Sequence, residues 1–466
     1  MLSRRTLLQT SALAAAQAQS SSKPNIVLIL SDDHTAEFTG SYGNPTVRTP
    51  NLDRFASEGM RFTKFFCSAP QCVPSRTAYM TGRSPVSARM SRFTSPLPPD
   101  IVTLPELLRK DAGYFTGICR RQFHLDGAPG PNSKAIYDKH KLQTFQNRVD
   151  YLDRASPREM TGKRVNEFFD KRPKEKPYFL WVNFDDPHYS WDNIPGGVDA
   201  KTLRVPKWLP DLPGVREDLR RYYDEIGRMD GEFQLVLDTI QKRAGMDNTL
   251  ILFAGDNGIP FPHGKGSLYD PGLNVPFLMR WTGKIKPGVS NDLISGEDVT
   301  PTLLAAAGVS PAPGMSGQSF LPHLLGQSYT ARRNVFAQRV THGSRPFAEG
   351  TTTHTFDHSR MARNARYKLI YNCTPGMRYS PVDSYNERSW VEMSDENAWG
   401  RLAPRYSQAY FGKRAVFELF DLEKDPEEFV NLAGRPEVEA VEKELKLALH
   451  EKMILDWDYL PLPLTP

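Results

Sequence analysis

The chain has 466 residues, more than one ordinary hydrophobic core accommodates, so two domains are expected. Hydrophobic residues make up 39% and aromatic residues 11%, which suits globular packing and excludes a wholly disordered chain. The net charge of +5 is spread along the sequence without a dense Lys/Arg block, and no nucleic-acid motif occurs, so the balance fits a small anionic ligand or an anionic glycan better than a duplex.

Ser3-Arg4-Arg5-Thr6-Leu7-Leu8 opens an apolar stretch that ends at Ala16-Gln17-Ala18, a small-residue cleavage pattern. Residues 1–18 read as a twin-arginine export signal, too short to span a bilayer, and predict an exported, periplasmic or secreted bacterial protein without stable membrane insertion. Four apolar runs then end at polar clusters. Asn25–Leu30 leads into Ser31-Asp32-Asp33-His34, and Phe115–Cys119 into Arg120-Arg121 and His124. Tyr178–Phe184 leads into Asp185-Asp186-Pro187-His188, and Thr249–Ala254 into Gly255-Asp256-Asn257. Short β-branched and aromatic runs of this kind read as strands buried on both faces. Helical patterns lie between them at Asn51–Glu58, Leu104–Lys110 and Glu217–Arg243. Alternating strands and helices argue for an α/β sheet, in which ligands gather beyond the carboxyl ends of the strands. All four polar clusters would then face one site.

Near residue 340 the composition turns rich in Ser, Thr, Arg and His. A strand is expected over Ala365–Tyr371, then a long aromatic-rich loop, a strand over Glu418–Leu422 and a charged helix over Val438–Leu455. These elements predict a smaller C-terminal α+β unit over 341–466 with an antiparallel sheet. Four cysteines, Cys67, Cys72, Cys119 and Cys373, show no C-x-x-C spacing, which argues against a zinc site and a disulfide-dense scaffold.

Asp32, Asp33, Asp256 and Asn257 offer only oxygen donors, a set that selects a hard divalent cation such as calcium or magnesium. Residues 72–76, Cys-Val-Pro-Ser-Arg, are similar to the C-x-P-S-R modification signature of the type I sulfatases, within the alkaline phosphatase-like superfamily. Asn25–His34, Thr49–Phe55, Pro187-His188, Gly255–Gly272 and Glu418–Leu432 fall in the order that family shows. The resemblance implies a central mixed sheet flanked by helices, a catalytic domain over 24–340, and Cys72 oxidised to formylglycine by a maturation enzyme. It implies a metal, calcium by family habit, held by Asp32, Asp33, Asp256, Asn257 and the modified Cys72. Arg76 and Lys265 would stabilise the charge on the sulfuryl group, with His188 and His124 as the acid/base pair. The family's G-K-x-H segment is replaced by Arg120-Arg121-Gln122-Phe123-His124, so Arg121 stands for the lysine with one extra residue before His124. Asp256–Pro262, Leu268–Gly272 and Arg366–Asn372 are similar to the sulfamidases that cleave N-sulfoglucosamine. The implied substrate is a sulfated mono- or oligosaccharide, as an ester or an N-sulfate. The alternatives are a phosphonate or phosphate ester hydrolase on the same scaffold and an inactive glycan-binding homologue.

Overall fold

The computed structural model describes residues 23–127, 129, 133–346, 354–377 and 379–463, so the expected export signal lies outside the described residues. Asn25–Ser31 (β1), Met60–Phe62 (β2), Phe115–Cys119 (β3), Tyr151–Asp153 (β4), Tyr178–Asn183 (β5), Thr249–Gly255 (β6), Phe277–Trp281 (β7) and Gly288–Ser290 (β8) build the central sheet. Their order is β4-β3-β5-β1-β6-β7-β2-β8. From β4 to β6 neighbouring strands run parallel, whereas β7 runs antiparallel to both β6 and β2, which makes the sheet mixed. Leu28 lies opposite Trp181 on β5 and Leu252 on β6.

Successive strand residues point to opposite faces, and here both faces are covered. Ile26, Leu28 and Leu30 enter one core with Trp181 and Leu252, while Val27 and Ile29 enter a second with Leu180 and Phe253. Cys72–Thr81 (α1) packs on the first face through Val73, Tyr79 and Met80. The short Phe123–Asp126 (α2) follows β3. Pro213–Ala244 (α3) covers the second face through Tyr222, Ile226, Met229 and Phe233. Burying one such side chain contributes about 1.5–3 kcal/mol, so truncating Leu28 to Ala costs roughly 2–5 kcal/mol.

Val335–Pro346 (β9), His354–Arg363 (β10), Tyr367–Asn372 (β11) and Phe417–Asp421 (β12) form an antiparallel sheet in sequence order. The stretch expected as an aromatic-rich loop instead carries two helices, Arg388–Ala398 (α4) and Pro404–Phe411 (α5). Trp390, Tyr406 and Tyr410 bury themselves in the α3-side core, so those aromatics mark amphipathic helices rather than a loop. Glu439–Leu455 (α6) covers one face of the small sheet, where Leu445, Leu449 and Met453 meet Leu369 and Leu419. The other face sends Met361, Ile370 and Phe420 into the central core, so the two units share apolar packing. The division expected at 340/341 falls inside β9, and we propose that the C-terminal unit begins at Val335.

Candidate active site

Strands β3, β5, β1 and β6 are neighbours and parallel, so their carboxyl ends share one edge. Asp32-Asp33 follow β1, Arg121 and His124 follow β3, His188 follows β5, and Asp256-Asn257 follow β6. α1 delivers Cys72 from its first residue and Arg76 from one turn further on to the same edge. Pro74 fits there because the first turn has no use for its missing N–H, and Gly82 (φ 63°) ends the helix in the left-handed region.

The floor is built around Asp32 and Asp256. Cys72 Sγ lies 3.4 Å from Asp32 Oδ1. The Arg76 guanidinium bridges the floor, with Nη2 3.0 Å from Asp32 Oδ2 and Nε 2.8 Å from Asp256 Oδ2. Arg121 Nη2 and His124 Nδ1 reach the same Asp32 oxygen at 2.8 and 3.2 Å. Asp256 Oδ1 accepts from the backbone amides of Asp33 and Asn257 at 3.0 and 2.7 Å. Asp33 holds positive φ (61°), a conformation Asp tolerates, and takes Asn257 Nδ2 at 2.7 Å and Lys265 Nζ at 2.9 Å. Lys265 in turn lies 3.3 Å from His188 Nε2. Donor atoms of Asp32, Asp33, Cys72 and His188 fall within 4.8 Å of one another, as do those of Asp32, Cys72, His124 and Asp256. Every site position named from the sequence therefore lies at this edge.

The electrostatics differ from residue to residue. Burial alone would raise the Asp32 carboxyl, but Arg121, His188 and Arg76 outweigh it and hold Asp32 well below the usual range. Burial raises Asp33 well above that range against the pull of Lys265, and Asp32 and Asp256 add to the rise. Burial and Asp32 raise Asp256 as well. Burial, then the Asp32 charge, pushes the Cys72 thiol well up, so unmodified Cys72 is a thiol and a poor nucleophile. Burial and Lys265 take His188 down to about 3. Burial and Arg121 lower His124 strongly. His34, adjacent in sequence, serves the fold: its ring nitrogens meet Ser31 Oγ and the Phe38 carbonyl at 3.1 Å each.

A divalent ion fits this floor. The Asn257 Oδ1 atom is buried without a hydrogen-bond partner, which is costly for an amide oxygen unless a cation takes it. Asp33 and Asp256, crowded and desolvated, are the carboxylates such an ion would relieve, and the donor set is all oxygen apart from Cys72. Asp32, Asp33, Asp256 and Asn257 would hold it.

Asn183, Asp185 and Asp383 were not named as site residues beforehand, although Asp185 belongs to the polar cluster expected at this edge. Asn183, the last residue of β5, accepts from Arg76 Nη1 while its own amide donates to the Cys119 and Arg120 carbonyls at 3.2 and 3.1 Å, and its place at a strand end was the available signal. Asp185 pairs with Arg121 Nη1 at 2.7 Å and with Arg120. Arg120 is itself fully buried, anchored to Glu232 at 2.7 Å, so of the two adjacent arginines only Arg121 faces the floor. Asp383, from the C-terminal unit, lies 2.8 Å from Lys265 Nζ, and no local pattern marks it.

The sulfatase family model matches residues 24–309, more than half of the chain. The chain belongs to the sulfatase family. A second model, that of the C-terminal part of N-sulphoglucosamine sulphohydrolase, matches residues 262–386 of this sulfatase. An ulvan-active sulfatase of Formosa agariphila is 29% identical over 95% of this chain and 76% of its own. The human N-sulphoglucosamine sulphohydrolase is 28% identical over 88% of this chain and 86% of its own. A solved sulfatase structure from a Bacteroides thetaiotaomicron locus for glycosaminoglycan metabolism has a TM-score of 0.70 at 19% identity, covering 94% of this chain and 97% of that one, a likeness of fold. Among the described residues no helix is long and apolar enough to cross a membrane.

Proposed function

We propose that this member of the family hydrolyses the sulfate ester or N-sulfate of a sulfated carbohydrate, with a divalent metal and with Cys72 oxidised to formylglycine. The observation that carries the reading is the seat of Cys72. A buried thiol with a raised pKa sits on a helix N-terminus, 3.4 Å from a carboxylate of an oxygen-donor cluster, where sulfur chemistry has little use and an oxygen nucleophile has much. The oxidised side chain supplies a hydrated aldehyde oxygen as nucleophile. Asp32, Asp33, Asp256 and Asn257 would hold a calcium or magnesium ion, which would supply positive charge to the sulfate and lower the pKa of the attacking hydroxyl.

The remaining work belongs to this chain's own groups. Arg76, fixed by Asp32, Asp256 and Asn183, cannot swing away and holds its charge at the nucleophile. Lys265 and Arg121 present cations to the outer sulfate oxygens. His188 is the group at the mouth, with a side chain 26% exposed; Lys265 and burial keep the free ring neutral, and a bound sulfate that offsets the Lys265 charge lets the ring take up a proton and pass it to the leaving atom. His124 is buried next to Asp32, on the nucleophile's side, and accepts a proton there. Export through the segment 1–18 would follow cytoplasmic folding, so a maturation enzyme in the cytoplasm would act on Cys72 before the fold buries it and before translocation.

Mass spectrometry of natively produced protein tests the modification: the Cys72 peptide is expected about 18 Da lighter than the thiol form, the change from CH2SH to CHO. A sulfate-release assay against matched phosphate and phosphonate esters tests the reaction. A free thiol in fully active enzyme, or a preference for phosphoesters by orders of magnitude, would overturn the reading.

A further inference from the structure

Lys265 stands between two carboxylates that differ in one respect. Asp33 lies in the floor with a fully buried side chain, whereas the Asp383 side chain is 20% exposed and reaches the mouth from the C-terminal unit. Asp383 Oδ2 is 2.8 Å from Lys265 Nζ, and Lys265 Nζ is 3.3 Å from His188 Nε2. The carboxylate is thus one ammonium away from the group that faces the leaving atom. Its loop is held firmly. Gly266 (φ 78°) donates its amide to the Pro70 carbonyl at 2.9 Å, and a Cβ at Gly266 would lie 2.2 Å from Val382 Cγ2. Only glycine permits that approach, and it brings the segment before Cys72 and the segment before Asp383 onto one residue. The residues adjoining Cys72 and Asp383 carry unspent hydrogen-bonding capacity. Both polar atoms of Gln71 and the Ser384 hydroxyl are buried without a partner.

Arg76, Arg121 and Lys265, the cations proposed to hold the sulfate, would welcome any anion. An ionised carboxylate only accepts hydrogen bonds and repels a second anionic group. Resting on the sulfatase reading, we propose that Asp383 is a specificity-determining residue. It accepts a hydrogen bond from a hydroxyl or amine beside the sulfated position of the sugar, and it disfavours a substrate that carries another sulfate there.

The test uses full-length enzyme with verified Cys72 oxidation. From the N-, 3-O- and 6-O-sulfated glucosamines the fastest substrate is chosen, and kcat/KM is compared with that of the glucosamine bearing one more sulfate at a neighbouring position and with that of an aryl sulfate. Wild type is expected to prefer the monosulfated sugar over the disulfated one by tenfold or more. Asp383→Asn is expected to shrink that preference at least tenfold, and to lower the monosulfated sugar at least tenfold more than the aryl sulfate, which offers no neighbouring donor. A variant that merely folds badly, or that only misplaces Lys265, slows all three substrates by one common factor. Unchanged ratios therefore overturn the assignment. Absence of sulfate release by wild type from every substrate overturns the sulfatase reading itself, and it shows before any variant is compared.

Discussion

Two buried ionic clusters in this molecule use the same residue types to opposite ends. Between the units, Asp270 takes Arg363 and Lys368 at 2.5 Å each, and Lys368 reaches Glu428 at 2.6 Å while Glu428 Oε2 also accepts from the Asp270 amide at 2.6 Å. Burial works against ionised Asp270, but Arg363 and Lys368 outweigh it and bring its pKa to about 2. At the sheet edge three carboxylates crowd together, Asp33 and Asp256 are raised, and an amide oxygen of Asn257 has no partner. In both clusters each acid meets a cation of this chain, and burial lifts Glu428 in the first to about 7. The second differs in that three carboxylates converge on one floor and the Asn257 oxygen beside them is left without a partner. A closed cluster of this kind locks elements together, and an open one has room for an ion and an anion that arrive from outside.

The contrast breaks most sharply at Cys72, the proposed source of the nucleophile. Cys72→Ala removes a side chain that makes no close ion pair, so the fold should survive with an unchanged circular dichroism spectrum. Turnover should fall by about 10^6-fold, the scale of losing a nucleophile in other hydrolases. Residual sulfate release within about tenfold of wild type would remove Cys72 from the chemistry.

Asp256→Asn comes next. It keeps the shape but takes one charge from the donor set and from Arg76, so metal content and activity should fall together. The expected loss is about 10^3-fold, since a divalent ion held there would supply several kcal/mol to the transition state. Elemental analysis beside the rate decides the matter, because full metal occupancy with lost activity would assign Asp256 to Arg76 alone.

These predictions rest on residues that could be read from the chain, and the reason is local. Asp32, Asp33, Asp256 and Asn257 each end a continuous apolar strand, and parallel strands bring such ends to one edge, so position in the run already encodes position in the site. Cys72 and Arg76 lie four apart on one helical turn, and the glycine-rich segment holding Lys265 sits at a strand-to-helix connection. Asp383 is different. It lies far from those motifs in sequence, between β11 and α4, and its approach to Lys265 depends on how the small sheet docks. Docking is set by Met361, Ile370 and Phe420 entering a core made largely of distant residues, which no local pattern reveals. The helices α4 and α5 were hidden for a similar reason, since Pro, Ser and Tyr in Pro404–Phe411 read as loop until Tyr406 and Tyr410 find their partners across the chain.

The closed cluster gives the next prediction. Asp270→Asn leaves Lys368 and Arg363 short of a counter-charge in a buried setting, which should cost about 3 kcal/mol of stability in a denaturant titration. Activity should fall by less, because Asp270 lies on the lock and not at the floor. The pH dependence has a definite sign. Asp270 has a folded pKa below its unfolded value of 3.8, so its contribution is complete above that value and fades as pH falls toward about 2. The variant should therefore lose part of the acid limb of the stability profile between pH 4 and 2, while retaining whatever other carboxylates supply.

The smallest effect is the control on the whole comparison. Arg89 and Asp100 also meet at 2.5 Å, the same separation as Arg363 and Asp270, but their side chains are 56% and 66% exposed. If distance decided the worth of an ion pair, Arg89→Ala would be as costly as Asp270→Asn. Water and salt screen the exposed pair, and holding two long side chains together costs entropy that the weak attraction barely offsets. Arg89→Ala should leave the thermal midpoint within about a degree of wild type, the small change expected of a screened surface pair, and that difference should shrink further in high salt. A shift as large as that of Asp270→Asn would mean that contact geometry outweighs burial in this molecule, and the distinction between an open and a closed cluster would then lose its energetic basis.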